Sequence, residues 1–162
     1  MKRLGYALVA FATACLMLST GFALADDHME ANAAGGGGWF YVQGPNEMQY
    51  KDGFSLYLNA DEFSMSWMQF RAREIPTMVV AYEFSEVSIE DNDMDGYWTA
   101  HAWGKAWGAG MDWHFHLKVT DMGKGKMDQF WLQVTLVDDP GTVLTWETMG
   151  LGGGNIWVLP MM

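Results

Sequence analysis

The chain has 162 residues, with 20 acidic side chains against 9 basic ones and a formal net charge of −11 at pH 7. That length allows one domain with a real core, and that charge argues against nucleic acid and anionic lipid as partners. Cys15 is the sole cysteine, which excludes an intrachain disulfide and points to stability from packing, hydrogen bonds or a captured cation.

Residues 1–25 read as a cleavable secretory signal. Lys2 and Arg3 open it, an apolar stretch runs from Leu4 to Leu18, and Ala23-Leu24-Ala25 supplies an Ala-x-Ala cleavage site ahead of Asp26. The competing reading is an uncleaved anchor, opposed by the polar Ser19-Thr20-Gly21 break. A lipoprotein at Cys15 would want a leucine-like residue three positions earlier, where Ala12 stands. Cleavage would remove Cys15, Lys2 and Arg3, leaving an export product for the medium, periplasm or cell envelope with a net charge of −13.

Residues 26–38, Ala- and Gly-rich and ending in Gly35–Gly38, read as a flexible lead. From Trp39 to the end, period-two runs between turn residues predict a single all-β domain, an antiparallel sandwich or barrel, over 39–162. The predicted strands are 39–43, 54–59, 64–73, 78–84, 87–90, 97–107, 113–120, 130–137, 143–147 and 156–159. In the clearest, Trp113, Phe115, Leu117 and Val119 alternate with His114, His116 and Lys118.

Three constellations are candidates for chemistry. Asp91, Asp93 and Asp95, followed by Gly96, match the first half of a calcium loop, in which alternate carboxylates converge on one hard cation. The twelfth position, which wants glutamate, is Ala102, so this is no EF-hand. The alternatives are a calcium-binding hairpin loop and a solvated acidic turn. His114 and His116 share a strand face at a spacing able to chelate a transition metal, and His101 on the preceding strand joins them if register allows. Against that stands the plain reading of two solvent-facing imidazoles. Trp103, Trp107 and Trp131 fall at positions of outward parity, as a platform for a sugar ring or a partner side chain would. The alternative there is a second buried face. No Gly-x-Ser-x-Gly, phosphate loop or dinucleotide fingerprint is present, and nothing selects a carboxylate pair, so no enzyme is expected.

Asp121, Gly123, Asp128-x-Phe130-x-Leu132-x-Val134 and the closing Gly152-Gly153-Gly154-Asn155-Ile156 carry a family likeness. They are joined by Ala100–Gly104 and by Phe115–Thr120. On these residues the chain resembles small secreted bacterial all-β domains of unknown function found downstream of choice-of-anchor-type surface domains. The likeness implies an exported all-β domain and supplies no catalytic residues. The many Trp and Met and the acidic loop depart from that pattern. Physically, Asp121 and Asp128 at strand ends suit side-chain bonds that fix a hairpin. The expectation is an exported, non-catalytic β domain with a surface-interaction or structural role, calcium being its candidate ion. Its partner would be an extracellular protein or glycan, with no membrane contact after cleavage. A sugar- or ligand-binding module and a His/Met metal-binding envelope protein are the alternatives.

Overall fold

The computed structural model describes residues 31–43, 48–73, 77–92, 97–123, 128–148 and 150–160. Residues 1–25, where the sequence predicts a signal, lie outside them, as do residues 26–30 of the lead. Nine strands run β1 (Ala31–Gln43), β2 (Gln49–Asn59), β3 (Trp67–Ala72), β4 (Thr77–Asn92), β5 (Tyr97–Gly108), β6 (Met111–Asp121), β7 (Gln129–Leu136), β8 (Val143–Thr148) and β9 (Gly153–Pro160). All neighbours are antiparallel, in the order β8-β7-β6-β5-β4-β3-β2-β1-β9. The first eight strands form a meander, and β9 returns to pair with β1. The all-β expectation holds, and the architecture is one sheet curled into a half-barrel.

Curling is visible in the core. Phe130 of β7 meets Phe54 of β2 at 4.3 Å, Phe40 of β1 at 5.5 Å and Phe70 of β3 at 5.6 Å between ring centroids. Trp146 of β8 meets Phe70 at 4.8 Å. Strands far apart in the sheet therefore share one apolar interior, and such aromatic pairs add to the burial of their own area. The bend is prepared in β4 and β5. Inward positions of β5 from Ala100 on are Ala100, Ala102, Gly104, Ala106 and Gly108, while Trp103 and Trp107 face outward and Trp98 packs against the core. A Cβ at Gly104 would overlap the Glu83 carbonyl oxygen, so β4 and β5 can approach there only with glycine. Opposite it, β4 shifts register between Ala81 and Glu83 and again between Phe84 and Glu86. Bulges sharpen local bend and twist. They also reset side-chain parity, which is why this 16-residue strand reads as two short runs in sequence.

The Gly-rich lead needs correction. From Ala31 onward it is β1, paired with both β2 and β9, so Gly35–Gly38 is the middle of a central strand rather than a linker. Gly36 has φ 150°, and a Cβ there would overlap the Asn155 carbonyl oxygen of β9. A run of glycine in sequence signals flexibility; here it permits close backbone approach. Residues 49–52, which the sequence leaves open between hairpin and loop, extend β2, and the predicted strand start at 64–65 is instead part of a short 3-10 turn, 63–65, ahead of β3.

The last strand is sealed by two carboxylates. Asp128 accepts hydrogen bonds from the Met122 N–H at 3.1 Å and, across the molecule, from the Ile156 N–H at 2.6 Å. Asp121 accepts from the Gly123 N–H at 2.8 Å and the Val158 N–H at 3.1 Å. Each aspartate holds its own turn and also one N–H on the outer edge of β9.

Candidate functional site

On the outer face of β5–β8 the alternation places side chains that the core does not use. Register sets Trp103 opposite His116, His116 opposite Gln133, and Lys118 opposite both His101 and Trp131. Trp131 in turn faces Glu147 of β8, and Thr120 faces Gln129. His101 and His116 are diagonal neighbours, and their Nδ1 and Nε2 atoms lie 3.3 Å apart. One imidazole donates and the other accepts, so the pair shares one proton at this contact. The Trp103 indole lies nearly parallel to both rings, at 4.4 Å from His116 and 5.6 Å from His101. Trp131 meets His116 edge to face at 4.9 Å.

Both histidines are held below the ordinary imidazole pKa of 6.5. Partial burial is the largest cause in each. For His116 the nearby His101 and Lys118 push the same way. For His101, Glu90 opposes the shift and Lys118 supports it. The pair is therefore biased towards neutrality, which keeps ring nitrogens available as acceptors.

Beside this cluster lies a depression of about 300 Å³ lined by Lys118, Thr120, Gln129, Trp131, Glu147 and Thr148, among others. Its walls offer an indole, the His116 imidazole, an amide, two hydroxyls, one ammonium and one carboxylate. It is suited to a small polar ligand with an apolar face.

Of the sequence candidates, Trp103, Trp131, His101 and His116 come together. Trp103 and Trp131 are half-buried on the outer face. His114 is exposed two positions away, opposite Lys105 and Thr135. Among the described residues no group of three or more His, Cys, Asp or Glu gathers as a metal site would require. Trp107 stands apart, 54% exposed beside Val80 and Asp112, so the three tryptophans do not form one platform. Asp91 lies next to the end of β4 opposite Trp98, exposed; Asp93 and Asp95 lie outside the described residues. Gln129, Glu147 and Thr148 escaped the sequence reading, and Lys118 stood there only as an outward residue of its strand, because only hairpin register brings them beside Trp131. No family model, curated protein or solved structure matches the chain.

Proposed function

We propose that the protein is an exported, non-catalytic interaction domain that presents the outer face of β5–β8 to its partner. The observation that carries this is the half-buried Trp103–His101–His116–Trp131 cluster on a face the core does not need. The interior already has its own aromatic set, so large outward rings beside a depression are surplus to folding. Export rests on residues 1–25. Kinship with the secreted choice-of-anchor-associated domains rests on the sequence likeness alone.

A sugar is the second reading, favoured by the setting of Trp131. Gln129, Glu147 and Thr148 rim the depression it lines, and a ring stacked on the indole would find donors and acceptors there. A glycan array with wild type and Trp131→Ala, both checked for folding by circular dichroism, tests both readings. Binding that falls about tenfold or more in the variant supports them. Equal binding by both proteins moves the site off this face. Absence of binding by wild type ends the sugar reading alone. A calcium ion at Asp91, Asp93 and Asp95 belongs to the same proposal as a stabiliser of the β4–β5 hairpin. A melting midpoint unchanged between millimolar calcium and chelator removes it.

A further inference from the structure

β8 is the last strand at one side of the sheet. The Leu136 N–H donates to the Thr142 carbonyl at 3.0 Å, and the β7–β8 register continues Val134 opposite Leu144, Leu132 opposite Trp146 and Phe130 opposite Thr148. Hydrogen-bonded pairs alternate along an antiparallel ladder. Thr142, Leu144, Trp146 and Thr148 therefore turn their backbone groups towards β7. Val143, Thr145 and Glu147 turn theirs away from the sheet, and all three side chains are exposed. Such an edge is a template for another strand.

Charge decides what fits it. Glu147 lies on the edge itself, and exposed Asp138 and Asp139 sit in the turn that enters β8. A second copy would bring the same acidic edge and a net charge of −11 against its twin. A cationic segment meets neither obstacle. We propose that β8 is a docking edge, accepting an extended basic segment of a partner protein as a tenth strand. Main-chain hydrogen bonds to Val143, Thr145 and Glu147 hold it, and its outward cations lie beside Glu147. Its inward side chains, alternating with the cations, extend the apolar layer next to Leu144 and Trp146. The inference stands on backbone phase and charge; it shares Glu147 with the depression beside Trp131, and Thr145, which does not line that depression, keeps the two readings distinguishable.

The probe is a labelled peptide alternating lysine and valine over the six-residue length of β8, with a glutamate–valine peptide as control. Thr145→Pro removes one outward N–H and leaves the β7 ladder intact, since proline is tolerated on edge strands. Glu147→Lys reverses the charge. The lysine peptide should bind wild type saturably and about tenfold more weakly to either variant. In wild type it should slow hydrogen exchange at the Val143, Thr145 and Glu147 amides, a readout that does not depend on the variants folding. Absence of saturable binding at millimolar peptide, unprotected amides, or equal binding of the glutamate peptide overturns the proposal. A wild-type dimer that Thr145→Pro converts to monomer would also overturn it, by giving the edge to a second copy.

Discussion

β8 and β9 are the two outermost strands of one sheet, and the sequence treats them in opposite ways. The outward N–H groups of Ile156 and Val158 on β9 end on the carboxylates of Asp128 and Asp121. The outward groups of Val143, Thr145 and Glu147 on β8 lie on an exposed edge, with acidic residues around it. Unpaired edges invite association, and charge is one of the devices that limit which strands can join. β9 shows the other solution, in which two of the outward donors are held from within the chain. The comparison teaches that the aspartates at the end of β6 and just before β7 serve two masters. They form the turn, as any Asp near Gly can, and they also close a contact 28 and 37 residues away along the chain.

The sealed edge can be broken most severely at Asp128. It is buried, and both of its oxygens hold backbone donors, one of them the buried Ile156 N–H. Asp128→Ala leaves two amides without acceptors. Each buried donor so orphaned costs about 1–3 kcal/mol, so a loss of about 3 kcal/mol or more is expected in urea denaturation. The variant should also aggregate more readily, because β9 becomes an open edge. Asp121→Ala should cost less, about 1–2 kcal/mol, since its Gly123 bond is exposed and water replaces it. A loss under about 1 kcal/mol for Asp128→Ala, or equal losses for the two, would mean that the β9 edge is held chiefly by its pairing with β1. Against these, Thr145→Pro on β8 should change stability by no more than about 0.5–1 kcal/mol, because it cuts no ladder bond.

Much of the strand pattern could be read in the sequence because alternation of apolar and polar residues is local. Trp113 to Val119 pointing inward, with His114, His116 and Lys118 outward, needed nothing but period two. What failed was anything set by a distant neighbour. Gly35–Gly38 looks like a linker until β9 is laid against it. The two bulges of β4 hide one strand as two. At the candidate site the same division holds. His101, His116, Trp103 and Trp131 stood out by residue type and parity, while Gln129, Glu147 and Thr148 are ordinary polar residues that gain meaning from the β6–β7–β8 register. The reach of Asp121 and Asp128 to β9 carried no local signal beyond their place beside turn residues.

The smallest expected effect concerns acid, and it separates the outer face on the β8 side from the sealed edge. His101 and His116 have folded-state pKa values below the 6.5 of an unfolded chain. The unfolded chain therefore takes up protons first as pH falls. The pair's contribution to stability is fully present above pH 6.5 and is lost progressively as pH drops from there through the lowered values. The charges facing the pair act in both senses. Lys118 on β6 resists protonation, Glu90 on β4 favours it, and each imidazole, once charged, opposes the other. Glu86 lies opposite Trp103, Glu147 lies beyond Trp131, and His114 sits farther along β6. Trp103 tempers the loss, since an imidazolium 4.4 Å from an indole gains a cation–π contact. Melting curves from pH 8 to about pH 5 should show a shallower decline in the His101→Gln, His116→Gln double variant than in wild type. An identical slope in both would show that the pair is as solvated as two free histidines, and that the indole does not shield it. A steeper slope in the variant would reverse the sign and place the acid-sensitive group elsewhere on the sheet.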